Sequence, residues 1–460
     1  MLSHAGLAVT GAGTTLVCDP WLVGSSYWRS WWNYPPVAPE LVDELRPDVL
    51  SLSHLHWDHF HGVTLRRFPR DTPVLVPRGH HDRMRRDLHW LGFTDVRELR
   101  HGRRTELADG FAVTSYQFGP FLDSALVVES EGVTLFNVTD AKLMGWPLQQ
   151  VLDRHPDIDF VFRSHSSANG RLCYEIMDDP EEPVDDEARY VRSFVDFVVR
   201  TRAAHAIPFA SNHCFMHREV WAYNDTIKTP QMVLDEMASR SITRPEAHIM
   251  VSGDTWSSGT GFHIAPNDWF TNRGEHLERY REAVRDRLDA TYAEEDAATI
   301  EMASVAAYFA DLSRALPSPL RRFFRKRPVV YVLAAGDRRD AFAVDLSTGH
   351  VEPVREVDDV AHPAQIHVSA HVFDNCVERN LFSHLSISKR VRYRVTKDQR
   401  RTIEVLNLVF NLYEYDYLPL RKAFTRRALV NWLDRWREVL LYARVGVDAA
   451  LGRGIDVERY

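Results

Sequence analysis

The chain has 460 residues, and its apolar fraction of 45% and charged fraction of 26% are those of an ordinary globular protein of two or three domains. This balance excludes a fibrous or disordered chain, and no apolar run reaches the roughly 18 residues that a transmembrane helix needs. The net charge of −8 argues against a protein that holds nucleic acid through its phosphates.

The first part of the chain reads as short strands separated by turns and helices. Two apolar runs within residues 6–19 predict a hairpin, and residues 48–53 predict a buried strand because they are short, apolar and bounded by turn signals. Residues 125–138 predict a second hairpin around a Ser-Glu-Gly turn. Helical stretches at 63–68 and 83–91 lie between the strands. The mixture indicates a layered α/β or α+β domain.

The later part of the chain changes character twice. Residues 189–202 alternate as an amphipathic helix, and residues 275–316 are helical and rich in charge. Strand patterns follow at 329–334, 341–345 and 366–372, after which helices resume near Asp374.

These changes predict the division into domains. We expect a catalytic domain over residues 1–275, a helical connector over 276–327 and a smaller C-terminal α+β domain over 328–460. We also expect the C-terminal domain either to cover the catalytic domain or to form a homodimer.

The cysteines indicate the cellular compartment in which the protein is expected. All four are scattered, without a Cys-x-x-Cys pair, and residues 1–4 offer neither a basic nor an apolar signal region. Reduced thiols and a cytoplasmic protein are therefore expected.

The strongest motif directly follows the predicted buried strand. It reads Ser53-His54-Leu55-His56-Trp57-Asp58-His59, so four side chains of metal-binding type fall within six residues. Side chains two residues apart project to the same side of an extended chain, which places His54 beside His56. Asp58 and His59 lie where the chain turns, so they can face a second metal ion. Imidazole with carboxylate suits zinc, iron or manganese.

This motif resembles the HxHxDH loop of the metallo-β-lactamase superfamily, which builds a mono- or dinuclear metal site between two β-sheets. Cys18-Asp19-Pro20-Trp21-Leu22 is similar to a segment that precedes that loop, and Asn137-Val138-Thr139-Asp140 ends a strand where the superfamily has its bridging aspartate. The resemblance implies an αββα sandwich of the α+β class. It also implies that five residues bind metal, namely His54, His56, Asp58, His59 and Asp140. Of these, Asp58 and Asp140 would also serve in catalysis.

The remaining ligands are marked less sharply. The superfamily usually has a histidine shortly before the hairpin that leads to the bridging aspartate, but residues 119–124 contain none, and Asp123 is the metal-capable side chain near that place. The last ligand should follow the strand at 205–210, where His213 and His217 are both available. For either one, the alternative is a packed or supporting histidine. His165, after another apolar run, is a candidate for the same pocket.

Within the superfamily, the chain resembles the metallo-β-lactamase-like domain of CMP-N-acetylneuraminate hydroxylases. The resemblance is carried by residues 122–140, 208–210, 217, 224–226 and 380–417. That family is an iron-dependent monooxygenase with an attached Rieske domain, whose centre needs two cysteines and two histidines in paired spacing. Cys214 and His217 form one Cys-x-x-His half, but no Cys-x-His precedes them. We therefore expect no Rieske domain and an external, ferredoxin-like electron donor.

Three functions remain open on this basis. The first is a non-haem oxygenase with two iron ions that hydroxylates or N-oxygenates a small polar substrate. An aspartate in place of the usual histidine favours it, because a carboxylate-rich ligand set suits iron. The second is a zinc-dependent hydrolase of an ester, lactone, amide or phosphodiester, in which Asp58 orients a metal-bound hydroxide. The third is a non-catalytic scaffold.

An aromatic segment adds a hypothesis about the substrate. Residues 27–34 gather several aromatic rings and Arg29 beside the Asp19 segment. One interpretation is a pocket wall that stacks on an anionic small molecule while Arg29 pairs with its carboxylate or phosphate; the other is a buried aromatic cluster.

Overall fold

Two β-sheets in the N-terminal part of the chain face each other. The computed structural model describes residues 1–166, 168, 170–181 and 188–450. The first sheet has five strands, in the spatial order Leu7–Gly11, Thr14–Cys18, Val49–Ser51, Val74–Pro77 and Val96–Leu99. The second has seven, in the order Glu246–Ala247, His205–Phe209, Phe160–Ser164, Val133–Thr139, Asp123–Ser130, Phe111–Phe118 and Arg104–Ala108.

The alternation of side chains along each strand fills the space between the sheets. Leu16 of the first sheet lies in one core cluster with Val113 and Phe162 of the second. The next residue along the first sheet, Val17, points the opposite way and packs with Leu88 of a covering helix. Because both faces of the strands are buried, the sheets need a helical layer on each outer side.

Helices supply those outer layers. The first sheet is covered by Pro39–Glu44, Gly62–Leu65 and Arg83–Trp90. The second is covered by Gly145–Arg154, Ala188–Thr201 and Pro230–Ser239. The resulting four layers are the αββα sandwich of the metallo-β-lactamase fold, which confirms the predicted fold class.

Most of the predicted elements are present. Both hairpins form, the buried strand is Val49–Ser51, and the amphipathic helix is Ala188–Thr201. The helix predicted at 63–68 is only the single turn Gly62–Leu65. The strand predicted at 366–372 is wrong at its end, since it stops at Ser369 and a helix begins at Ala370. The buried residues Phe373 and Val377, four positions apart, belong to that helix.

A third sheet occupies the C-terminal part of the chain. Its six strands, in spatial order, are Tyr174–Ile176, Val391–Val395, Ala364–Ser369, Val329–Ala335, Arg338–Asp345 and His350–Pro353. The outermost of these, Tyr174–Ile176, comes from the predicted catalytic domain and pairs in parallel with Val391–Val395. The predicted domain limits stay a proposal, and residues 451–460 of the predicted third domain lie outside the described residues.

The remaining elements connect these sheets. A three-stranded sheet is made of His213–Phe215, Trp31–Asn33 and Ser25–Ser26, and a hairpin of Thr255–Ser257 and Gly261–His263. The helices after residue 272 are Arg273–Ala283, Arg285–Asp296, Met302–Ala315, Ser318–Phe324, Ala370–Arg379, His384–Ser388, Arg400–Glu414, Arg426–Asp434 and Trp436–Ala450. Within the described ranges, none of the helices has the length and apolar character to cross a membrane.

The last helices return to the N-terminal sandwich. Arg427 pairs with Glu98 at the end of the first sheet, and Asp434 accepts two hydrogen bonds from Arg100, 2.9 and 2.6 Å long. Asn431 donates to Gln117 Oε1 of the second sheet over 3.0 Å. These contacts hold the C-terminal helices against the end of the sandwich where the sequence motif lies.

Candidate metal centre

The HxHxDH loop leaves the first sheet at the end of strand Val49–Ser51 and turns back at residues 57–59. The turn is closed by hydrogen bonds from the backbone N atoms of His59 and Phe60 to the carbonyl oxygen of His56, 3.0 and 2.7 Å long. His54, Asp58 and His59 are buried. The loop therefore presents its polar side chains inward, at the edge of the sandwich.

The first group of donor atoms joins His54, His56 and Asp123, all within 4.8 Å of one another. Nε2 of His54 lies 2.8 Å from Nδ1 of His56. Burial, together with the neighbouring imidazole, lowers the pKa of His54 to about 4 and that of His56 to about 3. Both rings are therefore neutral near pH 7, which is the form that binds metal.

The second group joins His54, His59 and Asp140 within the same limit. Asp140 follows strand Val133–Thr139, where Thr139 has a φ of +50° and turns the chain toward the loop. Asp140 Oδ2 lies 3.5 Å from His59 Nε2. Burial raises the pKa of Asp140, but the close contact with the His59 imidazole and its charge outweigh burial and lower the pKa to about 2. The carboxylate is thus ionised and lies between the two sides of the site.

The third group contains a residue that the sequence did not indicate. His4 lies with Asp58 and His59, and its Nε2 is 3.0 Å from Asp58 Oδ2. Its place is fixed by the backbone: His4 N donates to Asn33 Oδ1 over 3.2 Å, and Ala210 N donates to the His4 carbonyl over 2.9 Å. A single histidine ahead of the first strand carries no motif, so no sequence signal could have identified it.

Asp19 orients His59 by contacting the ring nitrogen on the side away from the donor groups. Its Oδ2 lies 2.8 Å from His59 Nδ1, and it accepts hydrogen bonds from the backbone N and the hydroxyl of Ser53 over 2.7 and 2.6 Å. A carboxylate on Nδ1 fixes the tautomer of His59 and leaves Nε2 for a metal. The Asp19-Pro20-Trp21 segment, found by resemblance, therefore has a supporting role that its sequence did not specify.

The aromatic segment at 27–34 is a buried cluster rather than an open wall. Tyr27, Trp31, Trp32 and Tyr34 are all buried, whereas Arg29 is exposed and donates to Ser25 Oγ over 3.1 Å. Tyr27 reaches the site through its hydroxyl, which donates to Asp58 Oδ1 over 2.5 Å. The segment thus supports a ligand side chain.

The three groups adjoin one another. They share His54 and His59, and together they hold four imidazoles and three carboxylates. Within the described residues, the buried Nε2 atom of His59 has no well-aligned hydrogen bond, although Asp58 and Asp140 each lie 3.5 Å away. Burial opposes a charge on His59, yet Asp58 and Asp19 raise its pKa well above the usual range. The pocket therefore favours a cation at this position.

His213 and His217, the two histidines predicted as alternatives for the last ligand, lie in different places. His213 stacks on Trp31, with ring centroids 3.7 Å apart, and its ring lies 5.5 Å from that of His4, at the edge of the third group. His217 instead lies 3.3 Å from Glu295 Oε2. Among the described residues, none of the three buried histidines His213, His217 and His165 joins a donor group.

A further histidine comes from the C-terminal part of the chain. The ring centroid of His384 lies 5.0 Å from that of Trp57 and 6.0 Å from that of His56. Nδ1 of His384 is 3.3 Å from the buried carboxylate of Glu414, while its buried Nε2 has no hydrogen-bond partner in the described part of the chain. His384 falls in the 380–417 region of the family resemblance, but nothing in its sequence context places it beside the metal loop.

Known proteins resemble parts of this chain. No family model matches the chain. A Rieske 2Fe-2S iron–sulfur protein of Mycolicibacterium smegmatis is 28% identical over 275 residues, which are 55% of this chain and 52% of that protein. The cytidine monophosphate-N-acetylneuraminic acid hydroxylase of Mus musculus is 26% identical over 148 residues, or 30% of this chain and 25% of the hydroxylase. The chain thus spans about half of the mycobacterial relative and a quarter of the mouse one.

Solved structures with partial likeness are of two kinds. An isothiocyanate hydrolase from Delia radicum gut bacteria has a TM-score of 0.40 at 16% identity, covering 56% of this chain and 98% of its own. CmlA, a diiron β-hydroxylase from Streptomyces venezuelae, has a TM-score of 0.37 at 18% identity, covering 55% of this chain and 52% of its own. In sequence motif and in αββα architecture, the chain is similar to the metallo-β-lactamase superfamily and, within it, to the CMP-N-acetylneuraminate hydroxylases.

Proposed function

We propose that the protein is a non-haem oxygenase whose site holds two iron ions and which hydroxylates or N-oxygenates a small polar substrate. The observation that carries the proposal is the position of Asp123 beside His54 and His56. A carboxylate there raises the share of hard oxygen donors, so that Asp58, Asp123 and Asp140 face four imidazoles. Such a mixed set suits iron better than a set of histidines alone.

The relatives point in the same direction. One is named as a hydroxylase and another as a Rieske iron–sulfur protein, and both resemble only part of this chain. The oxygenase activity of this chain is therefore a proposal that rests on the ligand set together with these partial likenesses.

In this proposal His54, His56 and Asp123 would hold one ion, Asp58, His59 and His4 would hold the other, and Asp140 would serve both. Iron bound there would supply the activation of O₂. Asp19 keeps His59 in one tautomer, and the Tyr27 hydroxyl fixes one oxygen of Asp58. These contacts hold the ligands in place before a substrate arrives.

A small cavity lies beside the metal loop. It borders His54 and includes Arg85, Phe121 and Tyr415 in its lining. We propose an anionic substrate because the lining holds the Arg85 guanidinium, a group that binds carboxylates and phosphates; Asp82, in the same lining, lies 3.1 Å from it.

Oxygen insertion also requires an electron donor. Placing one atom of O₂ in the substrate and releasing the other as water consumes two electrons and two protons. We propose that a ferredoxin-like protein supplies the electrons, in the cytoplasm, where the four buried and unpaired cysteines would stay reduced.

A zinc-dependent hydrolase is the second candidate. The side of the site with His4 and His59 is rich in nitrogen, and His213 lies close by, which suits zinc. In that case a metal-bound hydroxide would be the nucleophile, and Asp58 would orient it.

One experiment separates the two. The protein is produced with added iron or added zinc, its metal content is measured, and O₂ uptake is followed with a panel of small anionic compounds, with and without a ferredoxin–reductase pair. Two irons per chain and uptake that needs both compound and reductant support the oxygenase. Steady turnover of zinc-loaded protein without O₂ or reductant contradicts it and supports the hydrolase.

A further inference from the structure

A second cluster of metal-binding side chains lies at the opposite end of the second sheet. It consists of His205, Glu246 and His248, whose donor atoms all lie within 4.8 Å of one another. Strand His205–Phe209 runs from this cluster toward Ala210, whose backbone N contacts His4. At about 3.3 Å per residue, the two sites are separated by roughly the length of that strand.

The pairing of two strands brings these residues together. His205 is the register partner of Glu246 in a parallel pair, so their side chains share one face of the sheet. Glu246 and His248 are two residues apart, which puts His248 on that face as well. Backbone bonds from Glu246 N to the Ala204 carbonyl (2.9 Å) and from His248 N to the Ala206 carbonyl (3.0 Å) fix the register.

The donor atoms converge on one point. Nδ1 of His205 and Nε2 of His248 are 3.0 Å apart, and Glu246 Oε2 lies 3.9 and 3.8 Å from them. Two imidazole nitrogens and one carboxylate oxygen make a three-ligand zinc set that leaves a position for water. The glutamate side chain is 68% exposed, so an ion can reach the site from solvent.

Aromatic rings hold the two histidines in place. His248 stacks on Phe262 with centroids 3.8 Å apart, and His205 stacks on Phe160 at 5.1 Å. Because both rings are packed on one side, they are held in position before an ion binds, and little side-chain freedom remains to be lost.

We propose that His205, Glu246 and His248 bind one divalent ion of the zinc type, separate from the proposed catalytic pair. The ion would join the edge strand Glu246–Ala247, which has only two register pairs, to the body of the sheet. Through Phe262 it would also steady the hairpin that follows. Its role is structural, and it does not depend on which reaction the other site performs.

Zinc counting tests the proposal. The metal-loaded protein is equilibrated with excess zinc and freed of unbound ion, and zinc per chain is measured for the parent, for the double variant His205→Ala/His248→Ala and for Glu246→Gln. The double variant should carry one zinc fewer per chain, and Glu246→Gln should bind that zinc at least about tenfold more weakly. His263→Ala, on the exposed end of the neighbouring hairpin, should match the parent.

The unfolding temperature gives a second reading. Added zinc should raise it in the parent and in His263→Ala, but not in the double variant. Equal zinc content and an equal rise in all variants would overturn the proposal, because the His205–His248 contact would then be only a hydrogen bond. The exposed Glu246→Gln change keeps the test valid if the double variant folds poorly.

The two sites can be told apart by a reciprocal variant. His54→Ala/His56→Ala removes ligands of the proposed catalytic pair and should still bind zinc at His205 and His248. Loss of all zinc from that variant would contradict an independent site. Loss of metal from the loop alone, with the His205–His248 ion retained, would support both assignments.

Discussion

Glu414 holds His384 in a fixed orientation beside the metal loop, with its Oε1 3.3 Å from His384 Nδ1 and both side chains buried. The same glutamate accepts a hydrogen bond from the backbone N of Ser383 over 3.2 Å and contacts Arg83 of the N-terminal sandwich. The C-terminal part of the chain thus places one histidine, in a fixed orientation, beside donor groups that come from the first 140 residues.

We expect His384 to take part in the reaction without holding metal. Its Nε2 has no partner in the described part of the chain and lies outside the donor groups. His384→Ala should therefore keep the metal content of the parent and lower turnover at least about tenfold, as the loss of a hydrogen-bonding group at a reacting centre does. Metal analysis and O₂ uptake check this.

A milder variant and a control variant accompany His384→Ala. Glu414→Gln should lower turnover less, because the histidine remains but its orientation loosens, and the exposed His350→Ala should leave both quantities unchanged. Full turnover in His384→Ala would show that the ring only packs against Trp57.

The metal ligands themselves give a sharper test. His54 belongs to two donor groups and His56 to one, so His54→Ala/His56→Ala should release the ion that they hold with Asp123 and weaken binding of the second ion, while leaving the protein soluble. Metal content after gel filtration is the measurement, with the exposed His89→Ala as control. A double variant that keeps the full content of both ions would show that the loop does not bind them.

The sequence predicted those parts of the site that are local. Four candidate ligands lie within six residues after a buried strand, so spacing alone marked them. Asp123 and Asp140 were found because they begin or follow strands at places that the family resemblance singled out. His4 and His384 were missed because each reaches the site only through the tertiary fold, from opposite ends of the chain.

The fold shows the same limit. Alternating apolar residues predicted both hairpins and the buried strand, and these are present. Strand Tyr174–Ile176 has only three residues, too few to show a period, and it pairs with a strand more than 200 positions later. Such pairing is decided by tertiary contacts, which no local pattern reports.

A buried ion pair between Glu295 and Arg390 should make the stability of the protein depend on pH. Glu295 lies 2.7 Å from Arg390, which is fully buried, and 3.3 Å from His217. Burial raises the pKa of Glu295, but the hydrogen bond from His217 and the charge of Arg390 outweigh it and lower the pKa from 4.5 to about 2. A depressed pKa contributes stability above pH 4.5 and loses it as the pH falls toward 2.

Glu295→Gln should therefore lower the free energy of unfolding by about 3 kcal/mol at neutral pH, and its curve should meet that of the parent near pH 2. Urea unfolding between pH 2 and pH 7 measures this. Glu219 is the second carboxylate partner of Arg390, and its side chain is 40% exposed. Glu219→Gln should therefore lower the free energy of unfolding by less than Glu295→Gln does. A constant difference across the whole range would mean that packing, and not ionisation, gives Glu295 its effect.

Asp123 decides between the two candidate metals. If its carboxylate is what favours iron, Asp123→His should move the preference toward zinc, because it replaces a hard oxygen donor with an imidazole nitrogen beside His54 and His56. Apoprotein is loaded anaerobically with equal iron(II) and zinc, and the bound ratio is compared with that of the parent. The variant should bind several-fold less iron relative to zinc and lose reductant-dependent O₂ uptake. Asp123→Asn, which removes the charge but adds no nitrogen ligand, should weaken binding of both metals at that position. If Asp123→His binds the two metals in the parent's ratio, the carboxylate does not select iron, and the hydrolase becomes the better account of the site.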